Sequence, residues 1–137
     1  MAEAQKHFKK RDAILQYLRM TDTHPSAEMV YGALKPRMPD LSLATVYRNL
    51  SLFRTNGQII SVGTVNGTER FDGNTVPHVH FVCTDCCCVT DMHRIKVPEE
   101  VSGRACQLYG CEVADCQLTI TGICEKCLAK RKAGETA

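Results

Sequence analysis

The stretch that decides the fold is LSLATVYRNLSLFRTNG, residues 41–57. Ser42 stands where an N-cap residue would begin a helix, and Asn56-Gly57 has the composition of a helix end. Between them the apolar residues recur at the three- and four-residue spacing of a helix face. Those residues are Val46, Leu50 and Phe53. The stretch therefore predicts one amphipathic helix with defined ends.

Two further helices are predicted before this stretch and a hairpin after it. Residues 13–18 carry an apolar stripe, Thr21 to Pro25 breaks it, and Ser26 caps a second helix that runs to Leu34. Residues 58–62 and 69–72 read as strands joined at Asn66-Gly67, a frequent hairpin turn. Three helices followed by a hairpin predict a winged helix-turn-helix, in which the third helix reads DNA.

The exposed face of the third helix carries side chains suited to nucleic acid. Arginine contacts guanine or phosphate, asparagine suits adenine, and hydroxyls suit phosphate oxygens. The candidates are Ser42, Thr45, Tyr47, Arg48 and Asn49. A solvated helix face on a non-binding bundle is the alternative. Residues 1–72 hold ten Lys/Arg against seven Asp/Glu, a net +3, and residues 73–137 hold seven against eight, a net −1. This excess is too small to decide.

The second half of the chain has a different character. Residues 74–77 resemble a hinge between a winged-helix domain, 1–73, and a smaller domain, 78–137. In the smaller domain we predict strands over 78–82, 89–91 and 111–123, a helix over 98–108 and a short basic tail. The fold class is therefore predicted to be α+β, with the second domain a small α/β unit.

Two Cys-x-x-Cys turns stand in this second domain. Cys83 with Cys86, and Cys124 with Cys127, supply four thiolates, the ligand set of a closed, tetrahedral structural zinc site. A thioredoxin-like redox pair is the alternative, although that motif occurs once and opens a helix. The chain has nine cysteines, an odd number that disfavours complete disulfide pairing. The remaining five are interpreted as small buried hydrophobes: Cys87, Cys88, Cys106, Cys111 and Cys116.

A second metal site of different chemistry is suggested by His78-x-His80. Both rings would project from one face of a strand, with Asp72 just before them and Asp91 on the returning strand. Nitrogen and oxygen ligands without thiolate favour Fe(II), Mn(II) or similar ions. From the sequence alone His24, like His7 and His93, is interpreted as a surface residue.

Composition places the chain among ordinary soluble proteins. Its 137 residues are 44% hydrophobic and 23% charged, and the charged N-terminus does not resemble a signal peptide. No apolar run approaches the ~20 residues that span a bilayer. We expect a cytoplasmic protein with no membrane partner.

The motifs together resemble the ferric uptake regulator family. The matching segments are residues 24–31, 42–50, 70–72, 78–86 and 122–127, within a span from about Arg11 to Cys127. The resemblance implies a homodimeric winged-helix repressor of double-stranded operator DNA, not an enzyme, with a zinc-containing dimerisation domain. It also implies a regulatory site that joins the two domains and so reverses the interpretation of His24. The implied ligands are His24, Asp72, His78, His80 and Asp91.

Aspartate at both 72 and 91 is similar to the peroxide-sensing branch of that family, since the iron sensors typically carry glutamate there. This likeness implies Fe(II) that reacts with hydrogen peroxide and oxidises His24 and His78, whereas Mn(II) would repress without reacting. A sensor of iron or manganese level is the nearest alternative. A thiol-based redox protein that uses Cys86, Cys87 and Cys88 is an alternative of another class.

Three departures from the family pattern stand out. Phe8-Lys9-Lys10-Arg11 replaces the Thr-Pro-Gln-Arg of relatives, and we expect most of their first helix to be absent. Arg48 is the residue of iron sensors, where some peroxide sensors carry asparagine. Pro77 and Val79 occupy positions that help build a further metal site in iron sensors, so no third site is expected.

Overall fold

The chain folds as an α+β protein of two compact units, one ending at Thr75 and the other beginning at Val76. A computed structural model describes residues 2–135, with side chains from 9 to 134. Within those residues no helix combines the length and apolarity needed to cross a membrane.

The first unit begins with three helices, as the sequence predicts. They are α1 (Ala2–Met20), α2 (Ala27–Leu34) and α3 (Leu43–Thr55). Ser26 Oγ accepts a hydrogen bond from Met29 N at 3.2 Å, and Ser42 Oγ accepts one from Thr45 N at 3.1 Å. Both serines are thus N-caps that satisfy amide groups left unpaired by the helix start.

A two-stranded antiparallel hairpin follows, formed by β1 (Ile60–Val65) and β2 (Thr68–Asp72). Asn66 and Gly67 both have positive φ, 52° and 79°, as the tight turn between paired strands requires. Phe71 on β2 packs into the apolar core that the three helices share. The other members of that core are Ile14, Leu18, Ala27, Val30, Leu34, Leu41, Val46, Leu50, Phe53 and Ile59. The predicted winged-helix arrangement is therefore present.

The second unit is built on a three-stranded mixed sheet in the order β4-β3-β5. Its central strand β3 (Val79–Cys83) pairs antiparallel with β4 (Val89–Met92) and parallel with β5 (Leu118–Gly122). Two helices complete the unit, α4 (Glu99–Tyr109) and α5 (Glu125–Glu135). Gly110, at φ 65°, ends α4.

Two sequence-based predictions in this unit were wrong. The strand expected over 111–123 is formed only over Leu118–Gly122, because its partner β3 is five residues long and the register pairs Val79 with Leu118. Residues before Leu118 lie beyond the end of that ladder. The predicted basic tail is instead helix α5, which begins directly after Cys124. The stretch has too few apolar residues at helical spacing for a periodicity argument to reveal the helix.

Gly73 provides a test of how β2 ends against α1. A Cβ added there would lie 2.5 Å from the carbonyl oxygen of Leu18, a backbone atom that cannot rotate away. We expect Gly73→Ala to lower the free energy of unfolding by about 1–3 kcal/mol, because overpacking forces backbone shifts. Urea denaturation followed by circular dichroism measures it.

Gly32→Ala is the matched control. Gly32 lies inside α2, and apart from its chain neighbours and the nearby backbone of that helix no described heavy atom lies within 4 Å of the added Cβ. Removing a helix-interior glycine should leave stability equal or raise it by up to ~1 kcal/mol. Equal destabilisation by both variants would contradict the close approach at Gly73.

Candidate functional site

In the first unit, His24 and Asp72 form a buried pair. His24 Nε2 lies 3.2 Å from Asp72 Oδ2, and both side chains are more than nine-tenths buried. Burial of a carboxylate is costly unless it is paired. The sequence alone suggested that His24 is a surface residue, which is wrong, because it is buried beside Asp72.

The hairpin holds His24 in place. Arg70, on β2, donates from Nε to the His24 carbonyl and from Nη2 to the Thr23 carbonyl at 2.8 Å. Phe71 N donates to the Pro25 carbonyl at 3.0 Å. His24 itself has a φ of 52°, the left-handed region that a non-glycine residue occupies only when its surroundings hold it there. Asp72 Oδ1 accepts from Asn74 N at 2.8 Å, which orients the carboxylate so that Oδ2 faces His24.

In the second unit, two imidazoles converge on one carboxylate. His78 Nε2 is 2.8 Å and His80 Nε2 is 3.4 Å from Asp91 Oδ1. The register explains this contact, since His80 on β3 stands directly opposite Asp91 on β4. The two rings lie 4.2 Å apart between centroids. All three side chains are mostly buried.

The protonation of His78 fits a metal ligand. Its Nδ1 lies 2.6 Å from the Val76 carbonyl oxygen, which can only accept, so Nδ1 carries a proton and donates it. A neutral ring then has its lone pair on Nε2, the atom that faces the Asp91 oxygen. Two acceptors at 2.8 Å need a proton or a cation between them. A histidine that donates its second nitrogen to a carbonyl is the usual arrangement at protein metal sites.

His93 was missed as a neighbour of this cluster. Its Nε2 lies 3.5 Å from Asp91 Oδ2, and its ring centroid is 5.1 Å from that of His78. More than half of its side chain is exposed. Its position two residues after Asp91 was the available signal, because alternate residues of a strand share one face.

The cysteines converge on a second, sulfur-rich centre in this unit. Sulfur atoms of Cys83, Cys86, Cys88 and Cys124 all lie within 4.8 Å of one another, and Cys86 Sγ is 3.8 Å from Cys124 Sγ. Two thiolates bound to one zinc ion lie ~3.8 Å apart, given a zinc–sulfur bond of about 2.3 Å in a tetrahedron. Cys127 lies outside that closest group, although it is near enough to Cys124 for the pKa of its thiol to be affected.

The pKa values of these thiols are shifted by backbone amides, by burial and by neighbouring thiols. Backbone amides of Cys86 and Cys124 donate to Cys83 Sγ and lower the pKa of that thiol to about 6. Burial, followed by the hydrogen bond and negative charge of Cys86, raises the pKa of Cys88 to about 12. Hydrogen bonding to Cys124 and burial raise the pKa of Cys127 to about 12 as well. A doubly charged cation would offset the repulsion that keeps these sulfurs from ionising together, so the donor set fits zinc.

The residues of α3 that the sequence predicts to contact DNA differ in their exposure to solvent. Tyr47 and Arg48 are exposed, Asn49 is half-buried, and Thr45 is buried with its hydroxyl 2.8 Å from Ser42 Oγ. Thr45 therefore stabilises the helix start. Asn49 Nδ2 donates to the Thr45 carbonyl at 2.9 Å.

Tyr47 is held by Glu28 of the preceding helix. Its hydroxyl donates to Glu28 Oε1, and this bond lowers the pKa of Glu28 while raising the pKa of Tyr47. A cavity of about 560 Å³ beside α1 and α2 is lined in part by Tyr17, Leu34 and Met38. A second cavity of about 540 Å³ lies against α3 and is lined in part by Arg11, Arg48 and Asn49.

Comparison with known proteins assigns the chain to a family. The sequence profile of the ferric uptake regulator family matches residues 3–121. The peroxide operon regulator of Bacillus subtilis is 36% identical over 121 residues, which cover 88% of this chain and 83% of that protein.

Solved structures agree with that assignment. The peroxide stress regulator of Campylobacter jejuni superposes with a TM-score of 0.77 at 25% identity, covering 92% of this chain and 94% of that one. The ferric uptake regulator of Francisella tularensis, solved with iron, gives a TM-score of 0.68 at 25% identity, with 86% and 90% covered. This chain therefore belongs to the ferric uptake regulator family, and it is a transcription regulator rather than an enzyme.

Proposed function

We propose that this regulator is a metal-dependent repressor that binds operator DNA and senses hydrogen peroxide through oxidation of His24 and His78. The observation that carries the proposal is the donor chemistry of the two histidine–aspartate clusters. His24 with Asp72, and His78 and His80 with Asp91, offer only imidazole nitrogen and carboxylate oxygen. Such ligands suit Fe(II) and Mn(II), whereas the separate thiol cluster suits zinc.

Neither cluster alone offers a full ligand set. The first unit contributes one imidazole and one carboxylate, and the second contributes two imidazoles and one carboxylate. We propose that the five side chains bind one regulatory ion and that residues 74–77 act as the hinge between domains 1–73 and 78–137. An ion that needs donors from both domains favours the arrangement in which those donors meet.

Bound ferrous iron would lend an electron that breaks the peroxide O–O bond next to its own ligands, and it would regain that electron from the imidazole as the ring is oxidised. One peroxide oxygen would enter the imidazole of His24 or His78, and the other would leave as water. An oxidised ring is a poorer ligand, so the ion would no longer hold the two domains together. Similarity to the peroxide regulators of Bacillus subtilis and Campylobacter jejuni supports this assignment.

The proposed zinc ligands are Cys83, Cys86, Cys124 and Cys127. Zinc bound by these thiolates would tie the end of β3 to the start of α5 and so stabilise the second unit. We further propose that this unit dimerises with a second copy. In support, α4 exposes Val101, Leu108 and Tyr109, and β5 lies at an edge of the sheet.

Peroxide sensing predicts a metal-dependent pattern of oxidation. Fe(II)-loaded protein treated with hydrogen peroxide should gain one oxygen on peptides that contain His24 or His78, and should release DNA. Mn(II)-loaded protein should show neither effect, because manganese would not supply the electron at this site. Peptide mass spectrometry and a gel shift on the same samples provide the readout.

Met20, which is 78% exposed, reports oxidation by diffusing species. It should stay unmodified at peroxide levels that convert His24. Intact histidines together with undisturbed DNA binding would sink the peroxide proposal and favour a sensor of iron or manganese level.

DNA reading by α3 predicts a large effect at Arg48. The probe is a duplex that Mn(II)-loaded protein selects from a randomised pool. Arg48→Ala should weaken binding about 5- to 150-fold, because a bidentate arginine–base contact is worth about 1–3 kcal/mol. Fluorescence anisotropy at fixed salt measures the affinity.

Arg54→Ala is the control, since Arg54 lies in the last turn of the same helix and its Nη1 bonds Glu69 Oε1 at 2.6 Å. We expect a smaller loss there. Equal losses at both positions would point to a general charge effect rather than to reading by Arg48.

A further inference from the structure

We infer that Cys88 is a fifth thiol of the zinc centre and competes with Cys127 for the fourth coordination position. The inference rests on the proposed zinc site and changes its composition. It assigns a role to a residue that lies outside both Cys-x-x-Cys turns.

The geometry of the β3–β4 loop brings Cys88 to the cluster. The antiparallel register pairs Val82 with Val89, so Cys83 and Cys88 face each other at the next position. Cys83 N donates to the Cys88 carbonyl at 3.0 Å, which continues the ladder by one pair. Residues directly opposite in an antiparallel pair project to the same face. Cys88 Sγ therefore points to the side where Cys83 Sγ lies.

The residues between Cys83 and Cys88 form a tight turn that brings the chain back to β3. Cys87 has a φ of 60°, in the left-handed region, and its amide donates to the Cys83 carbonyl at 3.0 Å. The tight turn thus places Cys86 and Cys88 beside the same sulfur cluster. The sulfur of Cys88 lies within 4.8 Å of the sulfurs of Cys83, Cys86 and Cys124.

Cys124 reaches the cluster from the other neighbour of β3. The parallel register aligns Cys83 with Gly122, and Cys124 N donates to Cys83 Sγ at 3.3 Å. The sulfurs of Cys83, Cys86 and Cys124 are thereby brought together at the end of β3. Cys88 belongs to the closest group of four with them, while Cys127 approaches from the first turn of α5.

Five thiols then surround a zinc ion that binds four of them, so one thiol is unbound at any time. When Cys88 binds, Cys127 leaves as a thiol, and the proton that Cys88 releases balances the one that Cys127 takes up. The charge of the site is unchanged by this exchange. The centre would therefore retain four sulfur ligands after loss of either competing cysteine.

Zinc content and cobalt spectra of single and double variants test the inference. After dialysis against a chelator strong enough to strip the regulatory ion, wild-type protein, Cys88→Ser and Cys127→Ser should each retain one zinc per chain. Their Co(II) forms should keep the absorption of four thiolates. Cys88→Ser/Cys127→Ser should lose zinc, and its Co(II) form should show three thiolates at most.

Cys87→Ser/Cys127→Ser is the matched double control and should retain zinc like Cys127→Ser. Loss of zinc from Cys127→Ser, whether folded or not, would overturn the inference while leaving the four-cysteine site intact. Wild-type protein without zinc would instead contradict the zinc site itself.

Alkylation of zinc-loaded wild-type protein gives an independent readout. Iodoacetamide should modify Cys88 and Cys127 at intermediate rates, slower than Cys87. In the Cys88→Ser variant Cys127 no longer has a competitor for zinc, so it should be fully protected from alkylation. Labelling of Cys88 as fast as that of Cys87, with Cys127 fully protected in wild-type protein, would also overturn the inference.

Discussion

Hydrogen bonding of β3 on both sides is the constraint on which the second unit depends. The strand pairs with β4 over Val79 to Val82 and with β5 over Val79 to Cys83. It carries His80 beside Asp91 near one end and Cys83 at the other, with His78 immediately before it. A shift of one residue in the β4 register would turn Asp91 away from both histidines and Cys88 away from Cys83. One short strand thus determines the geometry of two chemically different centres.

A comparable constraint operates in the first unit. The Arg70 and Phe71 contacts attach β2 to the loop of His24, so a residue before α2 and a residue at the end of the hairpin become neighbours. The hairpin that gives the wing its shape therefore also fixes half of the proposed regulatory site. Suppose that, without metal, the arrangement in which the donors meet and the one in which they do not are populated at about 1:99. The ion must then bind the first arrangement more favourably by about 5.5 kcal/mol to bring the ratio to 99:1. Donors held rigidly in both units would supply such a preference, because only one arrangement then brings all of them to the ion.

The sequence predicted much of this architecture because its signals were local. Ser26 and Ser42 at helix starts, Asn66-Gly67 in a turn and Asn56-Gly57 at a helix end each act within a few residues, and each prediction was confirmed. The strand over 111–123 failed because its length is set by a partner far away in sequence. The approach of Cys88 to the thiol cluster could not be derived either, since it depends on strand register. The approach of His93 to Asp91 could have been derived, because the two residues are two positions apart. His24 became a candidate only through family resemblance, because its neighbour Asp72 lies 48 positions later in the sequence.

The central claim is that the two histidine–aspartate clusters share one ion. Isothermal titration of Mn(II) into zinc-loaded protein tests it through stoichiometry, with His24→Ala in the first unit and His78→Ala in the second. If the clusters share one ion, wild-type protein binds one Mn(II) per chain, and both variants lose at least tenfold in affinity for that single ion. Two Mn(II) per chain in wild-type protein, with each variant losing one and keeping the other at full affinity, would contradict it.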